Sequence, residues 1–186
     1  RLPKTDEAKK AQAALAHVGQ EAEMRRDLAR MVADFFANLR LSPPEPLSQE
    51  ERDKLIALAV FTTRCRSTVE RDSWQSREIQ LVPGAESPTR LVKCLAQLLN
   101  GLLAIGLTRE RAWQLVAKVA LDSMPALRYC VVTAMLKADG DVTTSDLAAR
   151  LGYPTNTTRR TLEDLTCYGV IGREPHGEGR ADLWRV

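Results

Sequence analysis

Histidine is almost missing from this sequence: His17 and His176 stand alone, neither at ligand spacing from a cysteine or from the other. That removes the usual basis for a zinc centre, and no metal site is expected. The four cysteines, Cys65, Cys94, Cys130 and Cys167, are widely separated with no CxxC pair. Each lies in or beside an apolar helical run, where a thiol acts as a small hydrophobe, so reduced, buried thiols are expected. No stretch of about eighteen apolar residues is present, and there is no signal peptide, which makes a cytoplasmic protein without a membrane partner the expectation. The chain also begins at Arg1 rather than Met, as a piece of a longer protein would.

Catalytic signatures are missing as well. The sequence has no GxxxxGK[ST] phosphate loop, no Gly-x-Ser-x-Gly elbow, no HExxH and no kinase signature, so the chain is not expected to be an enzyme on its own. What is present is the composition of a folded chain, 44% hydrophobic and 27% charged. A net charge of +3 is too small to announce nucleic acid by itself.

The last third is the most informative. Residues 124–186 run as an apolar helix (PALRYCVVTAMLKA), a DG turn, a second helix (TTSDLAARLG), a tight turn (YPT) and a third helix (TNTTRRTLEDLTCYG). Two short strands (VIGR and DLWRV) then surround a polar Gly-rich tip. This order predicts a winged helix-turn-helix, whose third helix would enter a DNA major groove. Thr143 with Asp146 predicts a capping-box start, Gly152 a left-handed stop, Thr155 a cap after Pro154, and Gly169 the end of the third helix. Thr158, Leu162 and Leu165 share one side of that helix, facing a core that includes Trp184.

The opposite side carries Asn156, Arg159, Arg160 and Glu163. With Thr157, and with His176 and Arg180 from the wing, these are the candidate DNA-binding residues; Asn and Arg suit bidentate bonds to base edges, Arg also phosphate. Over residues 124–186 eight Lys and Arg balance eight Asp and Glu, so any positive face is local, built from arginines after residue 150. A wing used only to bind protein remains an alternative.

Residues 1–123 predict a helical domain. A long helix spans 5–39, with Gly19 as a possible break and Phe35 and Phe36 at a buried end. SPPEP at 42–46 is a stiff linker, and helices follow at about 48–66, 88–105 and 109–122. Ser48 with Glu51 forms a capping box, Ser87 caps a helix with Pro88 at its first position, Gly106 stops that helix, and Thr108 caps the next. Between 64 and 90 the chain sets Arg64, Arg66, Arg71, Arg77 and Arg90 among Glu70, Asp72, Glu78 and Glu86, while REIQLV alternates like a short strand.

The order EPLSQEERDKLIALAVFTTRCR, a charged loop, SPTRLVKCLAQLLNGLLAIGLTRERA and a terminal winged helix resembles the region after the ATPase core of minichromosome-maintenance-type AAA+ helicases. Pro46, Leu47, Ser48 and Glu50 or Glu51 correspond to one family helix, and Thr89, Arg90 and Leu91 to the opening of its lid helix. The resemblance implies a mainly α fold, a lid-like helical bundle followed by a winged helix, with Arg90 as the nucleotide-sensing arginine. It implies ATP and Mg bound by a core upstream of this chain, with no cofactor in the chain itself. Duplex DNA is then the expected partner, along with a homo-oligomer formed through the helical domain or the missing core. The helix 5–39 has no counterpart in that family. The residues leave a second reading open, a transcriptional regulator whose helical part dimerises or takes an effector. For Arg64, Arg66 and Arg71 the expected role is structural ion pairing.

Overall fold

The computed structural model describes residues 7–39, 45–73, 77–138, 140–175 and 181–186. It is mainly helical, with a few short strands. The Ala-rich start forms α1 (Glu7–Ala16), and Gly19, at φ 84°, turns the chain before α2 (Glu21–Asn38). The long helix expected over 5–39 is therefore two helices, divided at Gly19, the break the sequence allows. Phe35 and Phe36, expected to be buried, are 50% and 62% exposed, and no residue of α1 or α2 is buried. Helical spacing marks an apolar face without saying what covers it. Of the linker at 42–46, residues 42–44 lie outside the described residues, as does the start of the first helix at Thr5.

A three-helix core follows, built from α3 (Gln49–Arg66), α4 (Thr89–Ala104) and α5 (Arg109–Asp122). Leu55 and Ala59 of α3 meet Leu95 and Leu99 of α4 and Ala112, Val116 and Ala120 of α5, all essentially inaccessible. The start of α3 is the expected capping box: the Glu51 N–H donates to Ser48 Oγ, and the Ser48 N–H donates back to Glu51 Oε2 at 2.9 Å. The other carboxylate oxygen of Glu51 accepts from Arg109 Nη1 at 2.6 Å and from the Trp113 indole at 3.2 Å. These donors, led by the Ser48 N–H and opposed by burial, hold the Glu51 carboxyl down to about 2. One cap thus ties the first turn of α3 to α5.

Helix α4 is assigned from Thr89, one residue later than the sequence predicts. Pro88 already has helical dihedrals (φ −70°, ψ −9°), and Ser87 Oγ accepts from the Thr89 N–H at 3.4 Å. Gly106, at φ 90°, ends the turn after α4, and Thr108 Oγ1 caps α5 by accepting from the Arg111 N–H at 3.3 Å. Between α3 and α4 lies a two-stranded antiparallel hairpin, β1 (Glu70–Arg71) and β2 (Ile79–Leu81), with a register shift between Glu70 and Arg71. β2 falls in the alternating REIQLV segment. β1, at two residues, is too short to show a period.

The C-terminal part runs α6 (Ala126–Leu136), β3 (Val142–Thr143), α7 (Thr144–Leu151), α8 (Thr155–Cys167), β4 (Gly172–Glu174) and β5 (Leu183–Arg185). The strands form an antiparallel sheet in the order β3-β5-β4, with Trp184 of β5 between Val142 and Arg173. Thr143 Oγ1 caps α7 by accepting from the Asp146 N–H at 3.2 Å. Gly152 (φ 67°) ends α7 and Gly169 (φ 64°) follows α8, both in the left-handed region that glycine enters without strain. Thr155 does not cap α8. It is already the first helical residue, with Pro154 in the cap geometry (φ −58°, ψ 139°) and no side-chain cap bond at this end. The Pro154 carbonyl instead accepts from the Thr158 N–H at 3.0 Å.

Leu162, Leu165, Val131, Leu147 and Trp184 are buried together in this second core with Met124. Cys65, in the last turn of α3, joins the same cluster, so the helical part contributes to the packing of the C-terminal part. Burial pushes the Cys65 thiol up to about 11, which removes it as a nucleophile. The expectation of four buried thiols is corrected here: Cys94 and Cys167 are exposed, and Cys130 is half-buried. No single helix among the described residues is long and apolar enough to cross a membrane.

Candidate nucleic-acid interface

The face of α8 that lacks apolar side chains divides into two halves with different surroundings. Its first two turns project outward, with Thr155, Asn156, Thr157 and Arg159 all exposed, and Tyr153 and Pro154 exposed just before them. A helix offers base-reading side chains from its N-terminal residues when it enters a major groove, and these are the residues left uncovered. Arg159 keeps a partial tether, donating to Glu163 Oε1 at 2.7 Å, one turn on. A side chain 45% exposed in such an i,i+4 pair is held weakly and can exchange its partner for phosphate.

The second half is turned into the molecule. Glu163, expected to face outward, has a side chain only 14% exposed, and it accepts from Arg71 Nη1 of β1 at 2.9 Å. Helical spacing placed it opposite Leu162 and Leu165, but the β1–β2 hairpin covers that side. Arg160 is also corrected, being half-buried, with its Nε inaccessible and lacking a partner among the described residues. Its carbonyl accepts from Arg71 Nη2 at 3.1 Å. His176 and Arg180, the wing candidates, lie outside the described residues.

Arg71 and Arg128 fix this arrangement. Arg71 Nη2 donates to Asp164 Oδ1 at 2.6 Å, while Nη1 reaches both Glu163 and the Arg77 carbonyl. Arg128, on the apolar helix α6 with its side chain 8% exposed, donates to Asp164 Oδ2 at 2.8 Å. Its other nitrogen donates to the Cys65 carbonyl at 2.9 Å and to the Ser67 carbonyl. Those two carbonyls belong to the C-terminal end of α3, where no intrahelical donor remains. Tyr168 adds a hydroxyl that donates to the Thr68 carbonyl at 2.8 Å. A carboxylate on α8 is thus shared by arginines from the hairpin and from α6, which sets the orientation of α8 against the helical part. Sequence reasoning missed Arg128 and Asp164. A charged residue inside the run PALRYCVVTAML was the available signal, because a buried cation needs a buried anion.

Among the described residues, ion pairing accounts for Arg66 and Arg71 of the charge-dense segment but not for Arg64, which was expected to pair and makes no ion pair. Arg66 binds Glu86 Oε2 at 2.8 Å, Arg71 binds α8, and Arg64 is exposed. Arg90 is exposed and, among the described residues, makes no ion pair, since Glu86 is engaged by Arg66. It lines a cleft of about 270 Å³ with Arg66, Glu86, Leu91 and Cys94, in the first turn of α4, which carries no acidic residue. An unneutralised arginine beside the positive end of a helix dipole favours an anion there.

Among the described residues no group of three or more His, Cys, Asp or Glu side chains could hold a metal ion. No protein-family model, curated protein or solved structure matches the chain.

Proposed function

We propose that residues 124–186 form a winged helix-turn-helix that binds duplex DNA through α8, as the C-terminal portion of a AAA+ ATPase of helicase or replication-initiator type. The observation that carries the reading is the exposed N-terminal half of α8, with Asn156, Thr157 and Arg159 uncovered while the rest of the helix is anchored. Supporting it are the order of three helices, a short strand between the first two, and a hairpin whose last strand pairs back to that strand. The ATPase setting draws on the resemblance and on Arg90, whose anionic partner would be a nucleotide phosphate held by an upstream core.

The test is duplex binding at low salt by the 186-residue chain and its Arg159→Ala and Asn156→Ala variants. Arg159→Ala is expected to weaken binding and, if it contacts phosphate, to lower the salt slope by about one. Asn156→Ala is expected to cost about 1–3 kcal/mol at one sequence position. Affinity unchanged in both variants rules out α8 as the reader.

Assembly with a second copy through α2 belongs to the same proposal and suits the regulator alternative equally. Met24, Leu28, Met31, Val32, Phe35 and Phe36 are each between 46% and 68% exposed on one helix. They present on the order of 600 Å² of apolar surface, against roughly 800 Å² per partner in a stable interface. Leu28, Met31 and Phe35 repeat at three and four residues, the spacing by which two helices pack side by side. Sedimentation should find the chain dimeric or larger, and Leu28→Lys with Phe35→Lys should render it monomeric. A monomeric parent chain contradicts the assembly.

A further inference from the structure

The C-terminal half of α8 forms the floor of a cleft of about 250 Å³. Arg77 and Ile79 of the β1–β2 hairpin, Arg159 and Thr166 of α8, and Arg173 of β4 line it. Arginines from three separate elements therefore line one concavity, two of them outside the helix that the DNA reading relies on. Two carboxylates, Glu78 and Glu163, line the same cleft, so it carries three arginines to two glutamates. Arg71, Arg128, Arg159 and Arg173 share Glu163, Asp164 and Asp182 in ion pairs, whereas Arg77 and Arg160 have no ion pair among the described residues. Of the three arginines that line the cleft, Arg77 alone has no ion pair among the described residues.

Arg77 is placed with unusual care. It has φ 51°, the left-handed region that a non-glycine residue rarely enters, and its carbonyl accepts from Arg71 Nη1 at 3.0 Å. The same guanidinium that anchors α8 through Glu163 and Asp164 therefore fixes the backbone of Arg77 relative to α8. Arg173, 5.4 Å over the Trp184 ring and donating to Asp182 at 2.8 Å, is held on the β4 side.

We infer that the β1–β2 hairpin is a second DNA-contacting element, in which Arg77, together with Arg173, binds phosphodiester oxygens of the duplex whose groove receives α8. This rests on the reading of α8 as a DNA-engaging helix and adds to it the phosphate contacts that position the duplex without reading its sequence. A phosphate-binding cleft could equally serve a free nucleotide, so the test carries both ligands.

The experiment is a fluorescence-anisotropy titration of the 186-residue chain with a labelled duplex and, separately, with a labelled ATP analogue, over a range of salt. Arg77→Asn and Arg77→Gly both remove the charge while tolerating positive φ, and Arg64→Gln is the control, an exposed arginine of α3 away from the cleft. Both Arg77 variants are expected to bind duplex on the order of tenfold more weakly at about 0.1 M salt, with a log–log slope smaller by about one and unchanged base preference. Arg64→Gln should bind as the parent does. If the parent binds duplex and the Arg77 variants keep its slope, or if their loss is confined to the nucleotide, the hairpin has no DNA role and the α8 reading survives. If the parent binds no duplex at all, the α8 reading itself falls, and this inference with it.

Discussion

Asp164→Ala is expected to lower the unfolding free energy by about 3–5 kcal/mol, the range for breaking a buried ion pair from one side. Asp164 accepts from two guanidinium groups, Arg71 at 2.6 Å and Arg128 at 2.8 Å, and the three side chains are 17%, 14% and 8% exposed. Removing the carboxylate leaves Arg128 buried with only the carbonyls of Cys65 and Ser67 to bond, and the cost is the desolvation of a cation without its counter-ion. Asp164→Asn should cost less, because the amide oxygen still accepts one hydrogen bond. Urea unfolding followed by circular dichroism measures the difference. A midpoint unmoved by Asp164→Ala would mean that the clamp does not hold α8 in solution.

Trp184→Ala should be of similar size, about 3–5 kcal/mol, the usual range for truncating a buried aromatic to a cavity. Trp184 is 1% exposed, on the central strand of the β3-β5-β4 sheet, and its indole N–H donates to Thr144 Oγ1 at 2.9 Å across the start of α7. Its loss would open a void among Leu147, Leu162 and Ile171, free the Thr144 hydroxyl, and remove the ring beneath Arg173. Trp184→Phe should recover much of the packing but not the hydrogen bond. A loss below about 1 kcal/mol in thermal unfolding would place the ring outside the core.

What the sequence made legible was local. Ser48 with Glu51, Thr108 with Arg111 and Thr143 with Asp146 are caps whose partners lie three residues apart, so they are visible in the linear order. Gly106, Gly152 and Gly169 mark helix ends because only a residue without Cβ takes those dihedrals freely. Leu162 and Leu165 follow from a period. What the sequence hid was long-range. Glu163 looks solvent-facing on a helical wheel, and only its distant partner Arg71 turns it inward. Phe35 and Phe36 look like a core, yet periodicity names a face and not its cover. Thr155 is a good cap residue by type, but Pro154 already occupies the cap geometry. Of the proposed DNA set, Asn156, Thr157 and Arg159 are exposed together, whereas Arg160 and Glu163 are drawn toward the hairpin. Arg77 and Arg128, which shape the site from other elements, stood in the sequence only as unassigned charge, and Arg71, expected in a structural ion pair, gave no sign that its partners lie on α8.

The most direct test of the central claim is the salt dependence of duplex binding by the 186-residue chain, measured by fluorescence anisotropy from low to near-physiological ionic strength. A chain that engages DNA through the outer half of α8 should bind at low salt, with log affinity falling linearly against log salt and a slope of roughly −0.9 per phosphate contact, and Arg159→Ala should make that slope shallower by about one such step. Absence of duplex binding at low salt by a chain whose melting is cooperative, or binding that Arg159→Ala leaves untouched in both strength and slope, would contradict it.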